Sequence, residues 1–184
     1  QTTTTSCVNF TTGETVANEV IVPIGANGQV SFKSPVAIAD LVVDVVGYFT
    51  DSTNISATGM TFTPISPSRI FDSRDNSGFQ GQGETLAPGA SINVIVANQG
   101  GIPPSNAKVV VANITATNTQ GPGYLVVYPT GTTKPDTSTL NWNGIGQSVA
   151  NSAAITLGSN GEITITNGGA TSVDVIVDVT GWYG

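Results

Sequence analysis

The residues with the most obvious chemical potential are four aspartates that occur as two pairs, each with a spacing of four. Asp40 and Asp44 lie in one run of β-branched residues, and Asp174 and Asp178 lie in another. Two carboxylates about 5–10 Å apart could hydrolyse a glycoside, and carboxylate oxygens are the ligands that Ca²⁺ prefers. Because no EF-hand or Asp-x-Asp loop spacing accompanies these aspartates, the sequence favours carboxylates held by cationic partners over a calcium site.

The chain has only two arginines, Arg69 and Arg74, and they flank Asp72. An aspartate on a covered strand face needs a partner, because an isolated buried carboxylate is very costly. A guanidinium group can bind a carboxylate through two parallel hydrogen bonds. We therefore expect the arginines to form structural ion pairs with three aspartates, namely Asp44, Asp72 and Asp178.

Nucleophilic catalysis has little support in the sequence. The chain contains no histidine, which excludes Ser-His-Asp and Cys-His arrangements and any zinc site that uses histidine. The single cysteine, Cys7, lies in a Thr-rich lead-in without an obvious activating neighbour. The sequence therefore predicts a protein that is not an enzyme, with no catalytic residue, no metal ligand and no cofactor.

Aromatic side chains offer the second kind of candidate site, because sugars stack on exposed rings in shallow binding sites. Tyr124 and Tyr128 are four residues apart on a predicted strand and so share one face. Trp142 is a further candidate, although its match to Phe10 in the repeat described below favours packing in a core. Tyr124, Tyr128 and Trp142 are accordingly the possible sugar-binding residues.

These residues are placed by an internal repeat. Gly25 to Gly28 match Gly158 to Gly161, residues 40–49 match 174–183, and the offset between matching positions grows from 132 to 134 along the chain. Such self-similarity is typical of duplicated structural units. Residues 62–184 resemble one complete repeat of seven or eight strands. Residues 1–50, called the half repeat below, match only its second half, and residues 51–61 form a linker.

The composition of the chain predicts an all-β protein. Val, Ile and Thr are abundant, whereas the residues that favour helices are scarce. Strands are predicted in the half repeat at 20–24, 29–33 and 40–49, with a type I′ hairpin at Asn27-Gly28. In the rest of the chain they are predicted at 62–65, 69–72, 91–97, 109–117, 124–128, 162–166 and 174–183. We expect an antiparallel, jelly-roll-like β-sandwich, with the half repeat packed on or beside the complete repeat, as one continuous domain or as two.

Charge and composition restrict the partners. The net charge is −7 and only five residues are basic, so the chain lacks the cationic surface that binds phosphates or anionic membranes. No apolar run approaches the ~20 residues that cross a bilayer as a helix. The start at Gln1 without an initiator Met, together with the low charge, favours an exported bacterial protein at the cell surface or outside the cell.

Two motifs carry a resemblance to a known family. Residues 67–74 read Pro-Ser-Arg-Ile-Phe-Asp-Ser-Arg, and residues 177–183 read Val-Asp-Val-Thr-Gly-Trp-Tyr. They resemble the tandem β-repeat of secreted bacterial proteins, often actinobacterial, which occurs in cell-surface proteins and as an appendage of enzymes. The resemblance covers residues 62–184 well and the half repeat as a truncated copy. It implies an exported, non-catalytic β-module and supplies no ligand.

The sequence is compatible with two classes of function. The half repeat lacks the strands that cover it in a complete unit, and an exposed strand edge templates pairing with another chain. This favours a self-associating subunit of a cell-surface fibre, sheath or adhesin, either a homo-oligomer or a head-to-tail polymer, with residues 1–8 as a candidate donor strand. The alternative is a carbohydrate- or cell-wall-binding module of a larger secreted enzyme.

Overall fold

The fold consists of two antiparallel β-sheets. The structure, a computed structural model, describes residues 6–34, 38–50, 59–75, 80 and 83–184. Eight strands lie within 62–184: β1 Phe62–Asp72, β2 Ser91–Ile95, β3 Val109–Thr117, β4 Gly123–Pro129, β5 Leu140–Trp142, β6 Val149–Thr156, β7 Glu162–Asn167 and β8 Asp174–Tyr183. The described residues include no apolar helix of membrane-spanning length.

The strand order defines a jelly roll. One sheet has the order β1-β8-β3-β6 and the other has the order β2-β7-β4-β5. Eight strands that alternate in this way between two facing sheets form the double Greek key of jelly-roll sandwiches. The predicted all-β antiparallel sandwich is confirmed.

The core lies between the two sheets and follows from the alternation of apolar residues along each strand. In β8, Val175, Val177 and Val179 face inward and are fully buried, whereas Ile176 and Asp178, which lie between them, face outward. Ile163 and Ile165 of β7 approach from the opposite sheet. Burying each such side chain stabilises the fold by about 1.5–3 kcal/mol.

The first strand differs from its prediction. The separate strands expected at 62–65 and 69–72 are one strand, β1, whose register against β8 shifts between Pro64 and Ser68 and again between Arg69 and Phe71. This stretch contains Pro64 and Pro67. Because β1 is at the edge of its sheet, a proline there removes no essential ladder hydrogen bond, and the extra residues are accommodated as bulges.

Every strand pair of the complete repeat joins its first four strands to its last four. We call β1–β4 the first half of the complete repeat and β5–β8 its second half. Each strand of the second half pairs only with the first half: β5 with β4, β6 with β3, β7 with β2 and β4, and β8 with β1 and β3. The second half alone therefore has no hydrogen-bonding partner for any of its strands.

The strands predicted in the half repeat, at 20–24, 29–33 and 40–49, are not formed in the described residues. None of the strand pairs includes a described residue between 6 and 50. The physical reason is that second-half strands pair only with a first half, and the first half among the described residues is already paired with β5–β8. Residues 1–5 of the predicted donor strand and 51–58 of the predicted linker lie outside the described residues.

Candidate functional site

An ion-pair cluster on the outer face of the β1-β8-β3-β6 sheet joins the neighbouring strands β1 and β8. Arg69 of β1 lies directly opposite Asp178 of β8 in the strand register. Its Nε atom is 2.9 Å from Asp178 Oδ1, and its Nη2 atom is 3.3 Å from Asp178 Oδ2. This two-pronged contact fixes the register of two strands that are more than one hundred residues apart in sequence.

Asp72 is the centre of the cluster. It is buried at the end of β1 and accepts hydrogen bonds from Arg74 Nε at 2.8 Å and Arg74 Nη2 at 2.7 Å. Arg69 Nη1 adds a third contact at 3.2 Å. The hydrogen bonds from Arg74 lower the pKa of Asp72 below its ordinary value, and the carboxylates raise the pKa of both arginines. The cluster is therefore charged on both sides at neutral pH and structural in character.

Asp174 is a member of this region that the sequence did not assign. Ser73 Oγ donates to Asp174 Oδ1 at 2.9 Å, and Asn118 Nδ2 donates to Asp174 Oδ2 at 2.8 Å. Ser73 Oγ also accepts the backbone N–H of Val175 at 2.9 Å. The signal for this role was present, since Asp174 is the first aspartate of its pair and Ser73 follows Asp72, but the pairing itself depends on the strand register.

Asp44, the equivalent of Asp178 in the half repeat, does not join the cluster. It is exposed, and the salt bridges among the described residues involve only Asp72 and Asp178 on the acidic side. The expected contact between Asp44 and an arginine of this chain is therefore absent from the described residues. Asp178 pairs with Arg69 of the first half, and no described residue offers Asp44 the equivalent contact.

The part of the chain that the structure describes contains no cluster of metal-ligating side chains. No three carboxylates or thiols there come close enough together to hold an ion. The carboxylates of Asp72 and Asp178 are already bound by guanidinium groups.

The candidate sugar-binding aromatics occupy different environments. Tyr124 and Tyr128 share the outer face of the β2-β7-β4-β5 sheet, as their spacing predicted. Tyr124 is 38% exposed, whereas Trp142 is only 2% exposed and its Nε1 atom donates to the carbonyl oxygen of Gly121 at 2.6 Å. Trp142 therefore packs in the core and cannot stack on a sugar, which leaves the two tyrosines.

The surroundings of the tyrosines are rich in hydroxyl groups. Tyr128 Oη is 3.2 Å from Thr166 Oγ1, which is 2.7 Å from Ser91 Oγ. Thr164 Oγ1 donates to Asn93 Oδ1 at 2.9 Å on the same face. These groups form a polar row across three strands. An open cleft of about 340 Å³ begins at Tyr124 and continues past β5 to Thr15 of the half repeat.

The half repeat lies along β6, which is the other edge strand of its sheet. The backbone N–H groups of Thr15 and Glu19 donate to the side-chain oxygens of Asn143 and Asn151, each at 3.3 Å. Burial raises the pKa of Glu19 above its ordinary value. These side-chain contacts hold the segment beside β6 without forming a strand pair.

The half repeat also reproduces a local contact that the second half makes. Asn18 Nδ2 donates to the carbonyl oxygen of Cys7 at 2.8 Å, and the matching Asn151 Nδ2 donates to the carbonyl oxygen of Thr139 at 2.7 Å. In the complete repeat this contact joins β6 of one sheet to the residue before β5 of the other. The same relative placement therefore exists in the half repeat without its covering strands.

The turns correspond as well, and they correct one prediction. Gly28 N–H donates to the carbonyl of Gly25 at 2.9 Å, as Gly161 does to Gly158 at 2.9 Å. The type I′ turn expected at Asn27-Gly28 is wrong, since only the glycine has positive φ, +70°. The geometry fits a three-residue hairpin loop, in which a glycine in the left-handed region follows an ordinary turn.

The apolar positions of the half repeat differ from their matches in one respect, which is exposure. Phe32 is 58% exposed and the matching Ile165 is fully buried; Val45 is 85% exposed and the matching Val179 is fully buried. In the complete repeat these positions lie in the core between the two sheets, to which strands of both halves contribute. The half repeat thus presents an uncovered inner face in the part of the chain that the structure describes, and this face is its principal candidate binding surface.

Comparison with known proteins adds no family to this description. No protein-family model matches the chain, and no curated protein matches it either. The fold and the repeat define the class: a jelly-roll sandwich preceded by a copy of its own second half.

Proposed function

We propose that this protein is a non-catalytic structural module of a secreted assembly, such as a cell-surface fibre, sheath or adhesin, and that the half repeat joins it to neighbouring chains by strand pairing. The observation that carries the proposal is the uncovered inner face of residues 6–34 and 38–50. The ion-pair cluster supports it, because its charged groups bind one another and fix the register of β1 and β8.

The energetics favour association. Covering one Val, Ile or Phe side chain contributes about 1.5–3 kcal/mol, and at least five inner-face positions of the half repeat are exposed: Val30, Phe32, Leu41, Val43 and Val45. An apolar surface of this extent marks an interaction site in a soluble protein. The unpaired backbone of the same segments provides hydrogen-bonding groups for a partner strand.

Light scattering over a range of concentrations tests this function, with negative-stain imaging of the same samples. We expect assemblies that grow with concentration, and we expect Val45→Lys to reduce them because it places a charge on the uncovered face. Ile145→Lys is the matched control, because Ile145 is an equally apolar, exposed residue outside the half repeat. A chain that stays monomeric throughout the concentration range contradicts the proposal.

A second candidate function is carbohydrate binding on the outer face of the β2-β7-β4-β5 sheet. The observation that favours it is the position of the exposed ring of Tyr124 on the same face as Tyr128 and the row of hydroxyl groups. A ring beside hydroxyl and amide groups is the combination with which proteins stack on and hydrogen-bond to sugars.

Co-sedimentation with insoluble glucan and with peptidoglycan tests the second candidate. Tyr124→Ala should lower the bound fraction severalfold, and Tyr48→Ala, which removes an exposed tyrosine of the half repeat, should leave it unchanged. Equal loss in both variants, or no retention of the unaltered protein, contradicts a sugar site at Tyr124.

A further inference from the structure

We infer that the partner of the half repeat is a polypeptide segment with the pattern of the first half, residues 62–129, that no second half of its own engages. The inference rests on the proposed function and names the partner for the same surface. It predicts that the half repeat and this segment together form a complete jelly roll.

The first step is the pairing rule. Every strand of the second half pairs with the first half and with nothing else. The half repeat has the sequence of the second half, so its strands need the hydrogen-bonding partners that β1–β4 provide. A generic apolar surface would cover the side chains and leave the backbone groups of several adjacent segments unpaired, which is unfavourable.

The second step is the preformed geometry. The contacts Asn18 to Cys7 and Gly28 to Gly25 match those of the second half in partners and in length. A third agrees: Thr11 N–H donates to Glu14 Oε2 at 2.7 Å, as Asn143 N–H donates to Gln147 Oε1 at 2.8 Å. Residues 7–28 thus already have local structure that a first half recognises, which lowers the ordering cost of binding.

The third step is charge complementarity. Asp178 on β8 is bound by Arg69 of the first half, while the matching Asp44 is exposed and bound by neither arginine. An incoming first half brings an arginine at the position of Arg69. The same two-pronged contact can then form across the new strand pair and set its register.

A fusion protein tests the inference directly. Residues 59–132 are placed immediately before Gln1 of the full chain, so that the connection from the added first half to Val8 has the length of the connection from β4 to Leu140. Hydrogen exchange is then measured at 29–33 and 40–49. We expect their amides to be protected at least a hundredfold over those of the unfused chain, as protected as β7 and β8.

The control fusion carries Val110→Asp in the added copy alone, because Val110 is fully buried in β3. It should show no protection at 29–33 and 40–49 while β7 and β8 stay protected. If the unaltered fusion also leaves 29–33 and 40–49 exchanging as fast as in the unfused chain, the inference is overturned.

The unfused chain separates this result from the proposed function. Protection in the fusion with a monomeric unfused chain supports the inference and contradicts self-association. Protection at 29–33 and 40–49 in the concentrated unfused chain, with matching loss at β7 and β8, shows that a second copy has donated its own first half and overturns a donor that no second half engages. Assembly of the unfused chain with an unprotected fusion overturns the inference alone.

Discussion

The side chain of Asn18 holds the carbonyl oxygen of Cys7 at 2.8 Å in a segment that has no paired strand. In the complete repeat the same contact, from Asn151 to Thr139, spans two sheets that are held together by a hydrophobic core. A local side-chain contact thus reproduces in the half repeat an arrangement that a core maintains elsewhere. This part of the half repeat therefore has the same local arrangement as its match in the second half.

The ion-pair cluster yields the first prediction. Asp72→Asn removes a buried carboxylate that neutralises Arg74 and contacts Arg69, and hydrogen bonds to charged groups contribute about 1.5–3 kcal/mol. Because both arginines are more than one third exposed, we expect a loss near the lower end, about 2 kcal/mol, in the free energy of unfolding. Urea denaturation measures it.

Asp44→Asn is the matched control, since it alters the exposed equivalent of Asp178 without breaking an ion pair in the described residues. Equal stability losses in the two variants would contradict the structural role of the cluster.

The lowered pKa of Asp72 predicts a pH dependence. A carboxyl group whose pKa is lower in the folded state binds protons more weakly there than in the unfolded chain. Its contribution is therefore fully present above its ordinary pKa of 3.8 and is lost as the pH falls through the lower folded value. Thermal melts between pH 2 and 6 should show the stability gap between the unaltered protein and Asp72→Asn narrowing below pH 4.

A gap that stayed constant across this pH range would assign the effect of Asp72→Asn to packing rather than to charge. Asp44→Asn again serves as the control, because it should follow the unaltered protein at every pH.

Matched glycines of the two repeats provide the third prediction. Gly28 and Gly161 share a φ of +70°, a conformation that costs an alanine about 1–2 kcal/mol. A Cβ on Gly161 would also collide with Ala97, whereas one on Gly28 meets nothing within 4 Å. We expect Gly161→Ala to lower the melting temperature of the sandwich by several degrees and Gly28→Ala to leave it unchanged. The reverse order would contradict the strand arrangement around the β6–β7 turn.

The features of the fold that could be predicted from the sequence are those that depend on residues close together in the chain. Valine at each odd position from 173 to 179 indicates which face of β8 lies in the core, and the cluster of Arg69, Asp72 and Arg74 followed from the cost of an unpaired carboxylate. The contact between Ser73 and Asp174 could not be predicted, because two residues 101 positions apart meet only once the register of β1 and β8 is known.

The half repeat shows where prediction from local sequence fails. Its strands were predicted from residues that strongly favour strands, yet no strand forms in the described segments of 6–50. Propensity describes how well a residue suits a paired, half-buried position, and no described strand pairs with this segment. Whether such a sequence becomes a strand depends on β1–β4, which lie outside the pattern itself.

Limited proteolysis with trypsin supplies the last prediction. Lys33 is exposed and lies in a segment without strand pairing, and proteases cut where the backbone opens at little cost. The other sites are protected: Lys108 N–H bonds to the carbonyl of Tyr183, Lys134 precedes a proline, and both arginines are held in ion pairs. We therefore expect the first cut after Lys33, leaving residues 34–184 intact, as mass spectrometry would show.

Lys33→Gln should abolish this early cut and leave the complete repeat uncleaved over the same period. In the fusion that supplies an added first half, Lys33 lies at the position of Thr166 in β7, inside a paired strand, and its cleavage should slow at least tenfold. Paired strands resist proteases because their backbone hydrogen bonds rarely open. First cleavage of the unfused chain at Lys108 or at an arginine would therefore contradict the stronger strand pairing of the complete repeat.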